Sequence, residues 1–118
     1  MSTLTLNITR EVEPKEVEDL VTGTGALTWS WWGEVRAEQR DDVSGYKFQH
    51  DRDVDPEGTM RGLTWVSEQQ IVDAAGEFLR KYEGEDAKDA RDESLGYLDA
   101  VAADSVLQIA VFGKVVYG

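Results

Sequence analysis

The chain has 118 residues, the length of one domain, and that is enough to bury a core without disulfide staples. It has no cysteine, which excludes disulfides, a thiolate nucleophile and a cysteine metal site. Twelve Lys and Arg face 24 Asp and Glu, a net charge of -12 that repels nucleic acid and anionic membrane and favours basic partners. The same charge also serves solubility by itself. A hydrophobic share of 41% and an aromatic share of 9% suit a folded domain rather than a disordered one. No apolar run approaches the roughly 20 residues of a membrane helix, and Met1 to Leu6 lacks the basic start and apolar stretch of a signal peptide.

Residues 3–9 alternate Leu4, Leu6 and Ile8 with Thr3, Thr5, Asn7 and Thr9, which predicts a half-buried strand. Pro14 suits a first helical position, carboxylates at Glu16, Glu18 and Asp19 suit the early turns, and Gly23 is placed to end that helix. Gly23-Thr24-Gly25 lacks the third glycine and the strand–turn–helix setting of a dinucleotide fingerprint, so it reads as a turn.

The stretch from Leu27 to Ala37 holds three of the four tryptophans. Strict alternation over 28–37 puts Trp29, Trp31, Val35 and Ala37 on a core face and Thr28, Ser30, Trp32, Glu34 and Arg36 on the other. Trp32 then stands out among polar neighbours. Either a helix or loop covers it, or it floors a binding surface with Glu34 and Arg36 beside it. A charged connection follows at 38–42, and Tyr46, Phe48 and His50 share one face of the next strand, antiparallel to the first.

Asp51, Asp53 and Asp55 occupy the first ligand positions of a calcium loop, but Pro56 stands where the turn glycine belongs and Gly62 where the closing glutamate belongs. The segment therefore reads as an acidic exposed loop. A short strand is expected around 60–64. Ser67 with Gln70 forms a capping box, and Ile71, Val72, Ala74, Ala75, Phe78, Leu79 and Tyr82 give a broad apolar helical face over 67–82, stopped at Gly84.

The most acidic stretch, 83–93, includes Asp86, Asp89, Asp92 and Glu93. It is either a solvated segment or a patch that resembles a phosphate backbone. Leu95, Tyr97, Leu98 and Val101 continue a short helix, and Asp104-Ser105 caps a last helix that ends at Gly113. The β-branched residues of that last segment also allow a buried strand.

Together these features predict an α+β fold, a small antiparallel sheet with helices packed on one face, as a single domain over 1–118. The strands near 3–9, 28–37 and 44–50 share that sheet, and the 67–82 helix crosses its core face. His50, the one histidine, has no partner set that spacing alone can build into a triad. No catalytic motif, metal site or cofactor site is expected.

The run Ile8-Thr9-Arg10-Glu11-Val12, the following Val17-Glu18-Asp19-Leu20-Val21-Thr22, the tryptophan-rich strand and the ending Leu107 to Gly118 carry a resemblance. They resemble a family of short acidic proteins encoded by tailed phages of actinobacteria and by related prophages. The resemblance implies an accessory protein of a bacterial host cytoplasm, of a kind that modifies the host or counters its immunity, and it brings no catalytic residues. The leading expectation is a non-enzymatic binder that blocks a basic host or antiviral-defence protein through an acidic and aromatic surface. The candidate binding residues are Trp32, Glu34, Arg36, Asp51, Asp53, Asp55, Asp86, Asp89, Asp92 and Glu93. Neither direct nucleic-acid binding nor membrane binding is expected, and a homo-oligomer is allowed. A second expectation is a small-ligand binder that sequesters a nucleotide, with Trp32 stacking a base and Arg36, Arg40, Lys47, Arg52 and Arg61 supplying cations. A third is an acidic structural or interaction protein of the virion or phage cycle.

Overall fold

A computed structural model describes residues 4–6, 10–29, 31–51, 61–82 and 84–116. Strand β1 (Leu4–Leu6) pairs antiparallel with β2 (Arg10–Val12) as a separate two-stranded ribbon. Helix α1 (Pro14–Glu18) follows and runs on as a π-helical turn, Asp19–Gly23. A 3-10 turn, Ala26–Thr28, leads to the main sheet. That sheet holds β3 (Trp32–Arg40), β4 (Val43–Asp51) and β5 (Arg61–Ser67) in sequence order, all antiparallel. Helix α2 (Glu68–Leu79), helix α3 (Ala87–Asp92), a 3-10 turn (Leu95–Tyr97) and helix α4 (Ala100–Phe112) complete the described chain. The class is α+β, as expected.

The inner face of the main sheet carries Trp32, Tyr46, Phe48, His50 and Val66, all buried. Helices α2 and α4 pack on this face and on each other, and α2 also lies beside β1. Ile71, Val72, Ala75 and Leu79 of α2 and Ala103, Val106 and Leu107 of α4 fill the core between the layers. Ser67 caps α2: its Oγ accepts from the Gln70 amide at 3.0 Å, and Gln70 Oε1 accepts from the Ser67 amide at 2.7 Å. This is the reciprocal box that the sequence pattern demands. Gly113 ends α4 in the left-handed region at φ 84, where a side chain would be strained.

Three expectations change. The first strand does not join the main sheet, and β5 takes the third place instead. Ile8 lies outside the described residues, and so do the side chains of Leu4 and Leu6. Helix α4 is capped by Asp99, whose Oδ1 accepts from the Ala102 amide at 2.8 Å, so it starts earlier than Asp104-Ser105 would allow. Residues 95–101 form a 3-10 turn and the start of α4 rather than one helix.

The tryptophan strand is the largest correction. It begins at Trp32, and Trp29 and Trp31 precede it, half-buried and stacked 5.8 Å apart. Trp32 pairs with His50 and Val35 with Phe48, so three steps on β3 span two on β4. This bulge breaks the alternation: Trp32 and Val35 both face inward, although their positions differ by an odd number. The Glu34 amide that the bulge removes from the ladder donates to Gln49 Oε1 at 3.1 Å. A Cβ on Gly33 would lie 2.4 Å from that oxygen, so a larger residue there would push the Gln49 side chain off the Glu34 amide.

Candidate functional site

Trp32 is only 5% exposed and floors no surface. Its ring stacks on Phe112 at 5.9 Å and tilts against Phe48 at 5.5 Å. Its Nε1 donates to Asp104 Oδ1 at 2.6 Å, and the Trp31 Nε1 donates to the same oxygen at 2.9 Å. Asp104 Oδ2 accepts from Gln108 Nε2 at 2.8 Å, and Gln108 Oε1 accepts from the Val116 amide at 2.8 Å. Among the described residues, no buried side-chain nitrogen or oxygen lacks a partner. This closed network ties the start of β3 to α4 and to the chain beyond it. His50 is buried as well, 2.8 Å from Thr64 Oγ1 through Nε2 and edge-on to Phe112 at 4.9 Å. It is a packed strand residue.

The outer face of the main sheet is left uncovered by the helices. Its cross-strand rows follow from the register. Gln49 sits beside Leu63, Arg36 beside Lys47 beside Trp65, and Glu38 beside Gly45 beside Ser67. Leu63 is 65% exposed. Trp65 lies flat across β4 at Gly45, where a Cβ would meet the ring at 2.7 Å, and its Nε1 reaches the Glu38 carbonyl on β3 at 2.9 Å. The Arg40 guanidinium stands over the ring, 5.3 Å from its centroid. Arg36 Nε donates to Glu34 at 2.6 Å and Arg40 Nε to Glu38 at 2.6 Å, while Lys47 Nζ stands 3.6 Å from Glu38. The hydrogen bond from Arg36 holds the Glu34 carboxyl below the usual carboxylate range, and Arg40 does the same for Glu38. Between these strands lies a polar cleft of about 420 Å³ lined by Glu34, Arg36, Lys47, Gln49 and Leu63.

The acidic residues sit on the helical side. Helix α1 and its π turn pack against the 3-10 turn that follows α3, and the Leu95 amide donates to Glu16 Oε1 at 3.2 Å. Helix α3 packs on the same turn, so the segment of Glu18 and Asp19, both ion-paired with Lys15 at 3.1 Å, meets the segment of the exposed Asp89, Asp92 and Glu93 there. Asp86 is different. Its Oδ1 accepts from the Tyr82 hydroxyl at 2.5 Å and its Oδ2 from the Asp99 amide at 2.7 Å. Partial burial opposes its charge, but those donors outweigh burial and hold its carboxyl low, while the Tyr82 hydroxyl is pushed up to about 12, first by its bond to Asp86. Asp86 thus links the end of α2 to the start of α4. Tyr97 and Val101, 56% and 64% exposed, stand on either side of Asp99 in the chain.

The structure therefore separates the expected site residues. Glu34 and Arg36 meet at the cleft, and Asp89, Asp92 and Glu93 stay exposed on the acidic side. Trp32 and Asp86 are structural. Asp51 ends β4 with its backbone paired to Arg61, its side chain is outside those described, and Asp53, Asp55 and Arg52 lie outside the described residues. Sequence reading named Arg36 and Lys47 among the cations around the sheet, but it did not set Lys47 against Gln49 and Leu63 in one cleft, and it missed Trp65. The alternation of Leu63 and Trp65 against Thr64 and Val66 was the available signal. A second hollow of about 270 Å³, between α2 and α4, is lined by Glu77, Phe78, Lys81, Tyr82 and Ile109.

No family model, curated protein or solved structure matches the chain. Function has to be argued from this geometry. No helix among the described residues is long and apolar enough to cross a membrane.

Proposed function

We propose that the chain acts by binding rather than by catalysis, engaging a basic surface of another protein through the acidic helical side. The observation that carries this reading is the run of exposed acids Asp89, Asp92 and Glu93 at α3, followed by the exposed Tyr97 in the 3-10 turn that packs on both α3 and α1. Exposed tyrosine is a common anchor of protein interfaces, and a surrounding field of one sign steers a partner of the other sign. The resemblance to accessory proteins of tailed phages supports a host or antiviral-defence protein as the partner, met in the bacterial cytoplasm. The packed position of His50 agrees with a non-catalytic role.

The test is association with a purified basic candidate or host partner in rising salt. From about 50 to 500 mM the Debye length falls from roughly 14 to 4 Å, so the on-rate should drop steeply. The triple variant D89N/D92N/E93Q should slow association without lowering the melting temperature, and Tyr97→Ala should speed dissociation. Nucleic acid should compete for the partner. An on-rate indifferent to both salt and the triple variant would sink the reading.

A further inference from the structure

The cleft on the uncovered face of the sheet holds an excess of hydrogen-bond donors. Arg36 spends Nε on Glu34, and among the described residues its two terminal nitrogens have no acceptor. Lys47 Nζ stands at an ion-pair distance, 3.6 Å, from Glu38, and an ammonium has three donors, so it has donors to spare. Gln49, which lines the cleft, uses its oxygen on the Glu34 amide, so its amide nitrogen is the end left for another acceptor. Arg36 and Lys47 are directly opposite in the register. Like charges in that position repel and weaken a sheet, and so does any unpaired excess of cations. Among the described side chains, the face carries Arg36, Arg40 and Lys47 against Glu34 and Glu38.

We propose that this cleft binds a small phosphorylated, hydroxyl-bearing molecule such as a sugar phosphate or nucleoside monophosphate. Arg36 and Lys47 take the phosphate, a geometry in which a guanidinium fork and an ammonium supply charge-assisted bonds. The Gln49 amide donates to a further oxygen. Glu34 serves as the hydroxyl acceptor, which explains why a carboxylate lines a site for an anion. Leu63 covers the carbon skeleton. A volume of about 420 Å³ lies within the range of roughly 300–1,000 Å³ typical of ligand pockets. The ligand is small because the whole chain, at -12, repels an extended polyanion, whereas a compact anion in contact feels mainly the local cations. The Glu34–Arg36 pair is exposed, so it adds little to the fold and yields readily to a ligand. This site is on the face of the sheet away from the helices and does not depend on the acidic side.

The experiment titrates the whole chain with ribose 5-phosphate, adenosine 5′-monophosphate, adenosine and inorganic phosphate, by calorimetry and by amide chemical shifts. The two phosphorylated sugars should bind saturably, adenosine should not, and inorganic phosphate should bind more weakly. Shifts should concentrate at the Glu34 amide and the Gln49 side-chain amide. Arg36→Met and Lys47→Met should each weaken binding at least tenfold without lowering the melting temperature. Lys88→Met, an equal charge change on α3, should leave it intact. Glu34→Gln should weaken the sugar phosphates but not inorganic phosphate, a split that a loss of folding cannot produce. The proposal is overturned if no phosphorylated probe binds at millimolar concentration. It is also overturned if Lys88→Met is as damaging as Lys47→Met, or if inorganic phosphate binds as tightly as the sugar phosphates.

Discussion

Trp32 and Asp104 show how one carboxylate can fix an aromatic cluster. Asp104 satisfies two indole N–H groups and one amide, the bonds to Trp32 and Gln108 buried and the bond to Trp31 part-buried. Its loss would orphan all three donors, and each orphaned buried donor is costly. Asp104→Ala should therefore lower the unfolding free energy by about 2–4 kcal/mol, measured by urea denaturation with tryptophan fluorescence. Trp32→Ala should cost about 3–5 kcal/mol and the half-buried Trp31 clearly less; equal losses would contradict the inward placement of Trp32. Asp86 adds a pH term. Its carboxyl is lower in the fold than its ordinary value of 3.8, so the fold is favoured wherever the carboxylate is ionised. That stability is present above 3.8 and fades as pH falls below it through the folded value. In Asp86→Asn the acid limb of the stability curve should be shallower, as read from urea midpoints at a series of pH values.

At the scale of elements, local signals and tertiary demands agree in α2 and compete in β3 and α4. Ser67 and Gln70 close their box within four residues, so nothing distant is needed to start α2. Ser67→Ala should cost about 1 kcal/mol, with the first turn of α2 losing amide protection first in hydrogen exchange. In β3 the bulge at Gly33 and Glu34 is set by what α4 and β4 present: the strand must seat both Trp32 against Phe112 of α4 and Val35 opposite Phe48 of β4. Two-residue alternation cannot do both, and the extra residue resolves the conflict. In α4 the cap falls on Asp99 because Asp104 is committed to the indoles.

At the scale of the molecule, charge is divided. The helical side gathers carboxylates from two segments of the chain, while the uncovered sheet face collects Arg36, Arg40 and Lys47. Self-repulsion on the acidic side opposes compactness, and salt screens it. Raising salt from about 50 to 500 mM should raise the melting temperature of the free protein, the opposite of its effect on association with a basic partner. D89N/D92N/E93Q should remove most of that salt dependence in a calorimetric scan.

Composition, alternation and capping chemistry by themselves determined the α+β class, β4, the start of α2 and the αL end of α4, because each depends on neighbours within a few residues. Exposed acids at Asp89, Asp92 and Glu93 were legible for the same reason: short-range charge density keeps a segment in water. The inward turn of Trp32, the use of Asp104 and Asp86 as internal acceptors, and the row of Arg36, Lys47 and Trp65 were decided only by the tertiary structure. A bulge reverses the parity of every residue before it, and a carboxylate looks the same in sequence whether it faces solvent or an indole. Which strands pair, and in what register, is fixed by contacts across the whole fold, and that register is what assembles the cleft.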